Sequence, residues 1–338
     1  MVLYVIDKSW NEPAKNLAYE KCLMKAMEKC EKGSAILFLW QNSDVIVLGR
    51  NQNFYKECDV DYVKTHKISF LRRITGGGAV YHDRGNLNYS FICKTEDYDR
   101  RFVFEIILTT LSNLGINAKL SGRNDITVGD RKISGSAFTE KDNVVLHHGT
   151  FLVETDLEKM EECLTPHKAK LLSKGIQSVK SRVANLTDIK KDLNIHELKE
   201  LLVAQFIYSL KKRGAIVEKS ILVDEIQFRE YTNEFLSKEW NYGNYPSDYE
   251  TISERFSWGV ITIHFVLEGY SVRKCRIESD TLYSEVVPKI EKKLVDVDLR
   301  ELNNIEVENF GDFENDKERE IMKEVLHFIE KTVVIYSV

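Results

Sequence analysis

Two short runs, AILFLW (35–40) and VIVLGR (45–50), restrict the folds open to this chain more than any other stretch. Neither has a polar face, so each reads as a strand covered on both sides, inside a layered α/β fold rather than on an open sheet. A segment with the opposite character precedes them. In EPAKNLAYEKCLMKAMEKCEKG (12–33), Pro13 stands near the start and Leu17, Cys22, Met24 and Met27 recur at helical spacing. That pattern predicts an amphipathic helix stopped by Gly33.

Further along, NLNYSFIC (86–93) sets Leu87, Tyr89 and Phe91 against Asn86, Asn88 and Ser90, a period of two that predicts a strand. YDRRFVFEIILTTLSNLG (98–115) reads as a helix ending at Gly115. Residues 118–156 read as three or four short strands joined by Gly-Asp and Lys-Asp-Asn turns, and helices are expected near 156–163, 196–212 and 225–238. Aromatic, glycine and proline residues cluster without period at 241–252, which marks a linker. Beyond it, GVITIHFV (259–266) and YSVRKCRIES (270–279) form a hairpin, followed by helices near 280–294 and 315–332. With 338 residues to place, the expectation is a larger domain over 1–245 and a smaller one over 246–338.

Composition narrows the partners. A net charge of -5 exerts no general pull on nucleic acid or an acidic membrane, so any phosphate must be bound locally. No apolar stretch reaches the roughly 20 residues of a membrane span, and the N-terminal residues lack the basic start and apolar run of a signal peptide. A cytoplasmic protein is expected. Cys22, Cys30, Cys58, Cys93, Cys163 and Cys275 contain no C-x-x-C pair and read as reduced structural thiols.

The chemistry concentrates in two stretches. FLRRITGGGAVYHD (70–83) joins two strand patterns through three glycines, whose bare backbone either forms a simple hairpin or lets successive N–H groups cradle an anion. It is neither a Walker loop nor G-x-G-x-x-G. Neighbours on a strand face opposite ways, so only one of Arg72 and Arg73 can serve a ligand; Arg73, nearer the glycines and on the face of Thr75, is the choice. In GRNDITVGDRKISGSAF (122–138), alternation places Lys132, Ser134 and Ser136 on one face, a cation among small residues. Asn124 and Asp125 either cap a turn or hold a magnesium ion through one carboxylate. His147 and His148 face opposite ways, so at most one lines a pocket. The basic run PHKAKLLSKGIQSVKSR (166–182) is either a solvated face or a lid over phosphates.

The stretches LFLW, RRITGGGAVYHDRGNLN, SGRNDI, GDRKISGSAF, HHGTFLV, KGIQSVKSRVANLT and ERFSWG together resemble the bacterial lipoate-protein ligase A family, in its order and over nearly the whole chain. The resemblance implies a biotin-ligase-like, class II synthetase-like α/β catalytic domain with a mixed sheet, and a small C-terminal α+β domain. It implies activation of lipoate, or octanoate, by MgATP to lipoyl-AMP. Transfer to a lysine of a lipoyl domain follows, in a 2-oxo-acid dehydrogenase acyltransferase subunit or the glycine cleavage H protein. Residue by residue, Arg73, Gly77, Gly78, Ala79, Val80, Tyr81 and Asn124 would bind the nucleotide, with Lys180 and Arg182 in an adenylate-binding loop. Lys132 would be catalytic, touching both the lipoyl carbonyl and the phosphate. Leu17, Trp40 and Val80 are candidate walls for the acyl chain, with Thr75, His82, Gly135, Ser136 and His148 also near lipoate. Thr75 and Tyr81 stand where the family often has serine and phenylalanine. An ATP-independent acyltransferase with a cysteine nucleophile is the alternative, and Cys163 is its only candidate.

Overall fold

In the computed structural model, the described residues are 2–164, 182–211, 216–218, 221–243, 250–299, 302 and 316–333. They form two compact units: Met1–Leu48, Phe54–Arg73 and Ala79–Asn241 in the first, and Gly49–Asn53, Ile74–Gly78 and Tyr242–Val338 in the second. Two loops that precede residue 80 therefore group with the C-terminal residues, which a single boundary at 245 does not anticipate.

The first unit is built on an eight-stranded mixed sheet. Its strands are β1 (Val2–Asp7), β2 (Ala35–Trp40), β6 (Asn86–Lys94), β7 (Lys119–Ser121), β8 (Asp125–Val128), β9 (Arg131–Lys141), β10 (Val144–Leu152) and β11 (Ile216–Glu218). They lie in the order β11-β1-β2-β6-β10-β9-β8-β7, parallel from β11 to β2 and antiparallel beyond. A small second sheet, β4-β3-β5, joins Ser69–Arg72, Val45–Leu48 and Val80–His82. The two apolar runs thus enter different sheets, and every residue of β2 and β3 is buried, as their lack of a polar face requires.

Helices cover both faces of the large sheet. On one side α1 (Pro13–Met27) packs against β2, β6 and β10, and is itself covered by the later helix Glu225–Leu236. On the other side lie Arg100–Asn113 and Ile195–Lys211, whose Val103, Phe104, Ile107, Leu111, Leu198, Leu202 and Phe206 meet Leu37, Leu39, Leu87, Phe91 and Phe151 of the sheet. Each such large side chain contributes about 1.5–3 kcal/mol by burial. Asp99, Asp156 and Asp224 cap three of these helices by accepting from the free N–H groups of the first turn. Helix α1 stops at Met27, short of Gly33, because Lys29 and Cys30 donate three residues back, to the carbonyls of Ala26 and Met27, and tighten the last turn.

The second unit holds a three-stranded antiparallel sheet of Glu250–Phe256, Gly259–Glu268 and Ser271–Ser279. Helices Val286–Leu294 and Asp316–Val333 pack on it through Ile261, Ile263, Ile277, Ile290, Ile321 and Val325. The expected hairpin gains a third strand in the segment read as linker. The expected helix 280–294 starts six residues late, since Thr281–Ser284 form a loop instead. That loop receives the two outlying segments: Asn51 donates to the Ser284 carbonyl, the Gly77 N–H to the Thr281 carbonyl at 3.0 Å, and Arg50 pairs with Glu285.

Among the described residues no helix is long and apolar enough to cross a membrane. In the core of the first unit, a Cβ on Gly149 would stand 2.2 Å from the Tyr89 Oη and 2.4 Å from its Cζ. Tyr89 is fully buried and cannot give way. Gly149→Ala is expected to lower stability by about 1–3 kcal/mol, measured by urea unfolding; an unchanged midpoint would show that this contact is not tight.

Candidate active site

One extra residue in β9 shapes the site. Pairing runs Asp125 with Gly135 and Ile126 with Ser134, then skips Ile133 and resumes with Thr127 opposite Lys132. This bulge breaks the alternation expected from the sequence. Lys132 turns to the α1 side of the sheet, with Gly135 and its cross-strand partner Thr150, while Ser134 and Ser136 lie near Tyr89 on the other side. The expected common face of Lys132, Ser134 and Ser136 is not formed. Pairing of β9 with β10 ends at Ser134, and beyond it Val183 bridges to Lys132 while Ala184 N–H donates to the Lys132 carbonyl at 2.9 Å. Both edges of the backbone at Lys132 are therefore paired.

The lysine stands at a cavity of about 130 Å³. Val80 and Tyr81 of the small sheet wall it with the preceding Ala79, joined by Asn86 of β6, Lys132, Ser134 and Gly135 of β9, Thr150 and Leu152 of β10, and Met160, Leu164 and Val183. Its lining is mostly apolar, with the ammonium as the charged group. Lys132 Nζ lies 2.8 Å from Asp125 Oδ1, and each side chain is about a third exposed (36% and 37%).

Deeper in the same unit, α1 carries polar residues into the core. Asn16 and Glu20, four apart and so on one helix face, are 0% and 1% exposed. Glu20 accepts from the Ser90 hydroxyl at 2.5 Å, and its carboxylate is 2.9 Å from His148 Nδ1. Trp40 Nε1 donates to the same Ser90 hydroxyl, and Asn16 bonds Asn42, whose amide reaches His82 Nδ1 at 3.1 Å. Arg73 is buried; its N–H donates to the Leu48 carbonyl and its guanidinium to that of Val47. Burial pushes the guanidinium down to about 10, with Glu20 opposing and Arg72 assisting. Burial, then Arg73 and His148, push His82 down to about 3.

The other expected residues fall as follows. Arg72 is structural: its guanidinium donates to the carbonyls of Trp240 and Asn241, and its N–H to the Asn241 side chain. Leu17 and Trp40 are buried between α1 and the sheet, and neither lines the cavity that Val80 lines. Asn124 ties the turn between β7 and β8 to β9, its side chain donating to the Ser136 carbonyl and its carbonyl accepting the Ser136 N–H. Thr75, Gly77 and Gly78 belong to the second unit. There a Cβ on Gly76 would stand 1.9 Å from the Thr281 carbonyl oxygen, Gly77 has φ +86°, and only Gly78 meets open space. The Gly77 N–H is already hydrogen-bonded, so the three glycines do not present a row of free donors. Arg182 is exposed; Lys180 lies outside the described residues, as does most of the basic run. His147 is on the far face, bonded to the Tyr98 hydroxyl at 3.0 Å, and burial pushes it down to about 3. Cys163 is fully buried and burial pushes its thiol up to about 12, which leaves no thiolate for nucleophilic attack. The Glu20, Asn16 and Ser90 cluster was not read from the sequence, although two polar residues on the apolar side of a helix were a signal for it.

The first unit is thus a layered α/β fold with a mixed sheet, a buried arginine and a lysine at a cavity, and the second is a small α+β unit. Residues 12–207 match the family model of the lipoyl protein ligase A/B catalytic domain, and 249–326 that of the bacterial lipoate protein ligase C-terminus. The chain is 36% identical over 304 residues to the lipoate-protein ligase A of Psychrobacter cryohalolentis, covering 88% of this chain and 89% of that one. Among solved structures, it is similar to P. falciparum LipL1 in complex with lipoate, with TM-score 0.79, 29% identity, and coverage of 97% and 99%. It is also similar to a lipoate-protein ligase A bound with ATP, with TM-score 0.61, 28% identity, and coverage of 72% and 98%. The chain belongs to the lipoate-protein ligase family.

Two of the buried histidines, His82 beside Arg73 and His147 on the far face, make a test of neutral burial. Each stays neutral when folded down to about pH 3, but takes up a proton near 6.5 once unfolded. Their stabilising contribution is therefore complete above pH 6.5 and declines as pH falls toward 3. Between pH 7 and 5 the unfolding free energy is expected to drop by about 2 kcal/mol per histidine. Urea titrations at the two pH values would measure it, and a flat profile would contradict neutral burial.

Proposed function

We propose that the chain activates lipoate with ATP to lipoyl-AMP and then transfers the lipoyl group to a lysine of a lipoyl domain. The observation that carries this reading is the placement of Lys132, a cation turned by the bulge onto a cavity whose other lining residues are apolar or uncharged. ATP and lipoate are the molecules bound to the relatives named above. Their carboxylate and phosphate oxygens repel each other, and a fixed cation offsets that repulsion most where charge develops in the transition state.

In the first step a lipoate carboxylate oxygen attacks the α-phosphorus, and pyrophosphate leaves with the electron pair of the broken P–O bond. In the second, an acceptor ε-amine attacks the acyl carbonyl, AMP leaves, and the amine loses its proton. Lys132 holds the non-bridging oxygens and the carbonyl through both steps. Arg73 supplies a second, immobile positive charge in the same unit. The described residues offer magnesium no protein cage: no three His, Cys, Asp or Glu side chains converge, and Asp125 is engaged by Lys132. Magnesium therefore enters this proposal only as a companion of the nucleotide, where it would neutralise phosphate charge. Acceptors are lipoyl domains of 2-oxo-acid dehydrogenase acyltransferase subunits or the glycine cleavage H protein.

Lipoate-dependent exchange of pyrophosphate into ATP tests the reading. Exchange is expected with the unmodified chain, to fall on the order of 10²–10³-fold in Lys132→Ala, and to persist in Cys163→Ser. Acyl transfer without exchange would establish the cysteine-nucleophile alternative instead.

A further inference from the structure

The side chain of Lys132 depends on a neighbour having no side chain. A Cβ on Gly135 would stand 2.7 Å from Lys132 Nζ and 2.8 Å from its Cε, so the lysine lies directly across the glycine. The same Cβ would be 3.4 Å from Asp125 Oδ1, the atom that the ammonium contacts at 2.8 Å. Asp125 and Gly135 are register partners on β8 and β9, so both contacts are set by one rung of the sheet. A pair this exposed adds little to stability. Gly135 is likewise under no conformational demand for glycine, since it lies within β9 and has no positive φ. Neither residue serves the fold in an evident way, and both bear on where the ammonium rests.

We propose that Asp125 and Gly135 are positioning residues for Lys132, the carboxylate anchoring its ammonium and the bare Cα giving its stem a bed across the strand. This deepens the ligase reading and rests on it. It also gives Asp125 a role other than the magnesium ligand expected from the sequence.

The geometry makes Gly135→Ala an informative variant. The atoms its methyl would strike are the far end of a flexible side chain, which can move aside without disturbing the sheet. Melting temperature is therefore expected to hold while the ammonium shifts. Displacement of a catalytic group by about 1 Å can cost on the order of 10²-fold in rate. Lipoate-dependent pyrophosphate exchange would be measured for Gly135→Ala, Asp125→Asn and Asp125→Glu beside the unmodified chain, at several magnesium concentrations. The expected result is a kcat lowered on the order of 10²-fold in Gly135→Ala and Asp125→Asn with KM for ATP little changed. Partial recovery in Asp125→Glu and no rescue by added magnesium are also expected. Normal exchange in all three variants overturns the proposal alone. Recovery of Asp125→Asn by raised magnesium overturns it too, by assigning the carboxylate to the metal. Absence of exchange in the unmodified chain overturns the ligase reading and the proposal with it.

Discussion

The bulge at Ile133 decides which side of the sheet Lys132 serves. Without the extra residue, a period of two would send the lysine toward the layer of Arg100–Asn113 and Ile195–Lys211, where Ile126, Ile133 and Phe151 leave it no partner. An unpaired ammonium there would cost several kcal/mol. With it, Lys132 reaches the side covered by α1, beside Gly135 and the cavity. The bulge also ends the pairing of β9 with β10, and Val183–Ala184 fills the gap. In this way a local irregularity ties the residues after the basic run to the backbone of the lysine.

The α1 side of the sheet is correspondingly unlike the other. The far side is a close-packed apolar layer, whereas here a carboxylate, two histidines and an arginine are buried among Trp40, Phe38 and Leu17. Burying such groups is costly unless they satisfy one another. Glu20 does this for Ser90 and His148, and its charge resists the loss of the proton from Arg73. His82 is held toward the neutral form first by its burial and then by the nearby positive Arg73. His82 Nε2 is buried with no hydrogen-bond partner among the described residues.

Much of this was legible in the sequence, and the rest failed for identifiable reasons. The apolar runs, the period-two stretch 86–93 and the capped helices were recovered because each pattern reports directly on burial. The strand Glu250–Phe256 was missed because, as an edge strand with mostly exposed residues, it carries no apolar alternation. The face of Lys132 was misread because alternation assumes an unbroken ladder, and nothing in GDRKISGSAF marks the bulge. The triple glycine was read as one device, yet Gly76 avoids a carbonyl, Gly77 takes a left-handed backbone and Gly78 stands open. Sequence shows that bare backbone is needed there, but not which backbone atoms approach it. Arg72 and Arg73 do point different ways, as strand alternation requires: Arg72 holds Trp240 and Asn241, and Arg73 donates to the Val47 carbonyl.

The two cations of the first unit differ in a way that suits a two-step reaction. Arg73 is buried, hydrogen-bonded to a carbonyl and surrounded by fixed charges, so its field cannot follow a moving group. Lys132 is a third exposed on a flexible stem, and its anchoring carboxylate is equally open to water. A pair of that kind is held weakly enough for an anionic substrate to compete for the ammonium, which a deeply buried ion pair would forbid. In the proposed reaction the negative charge first builds at the α-phosphate and later at the acyl carbonyl. A rigid charge can serve one of these positions well; a tethered one, starting from a defined resting place, can serve both.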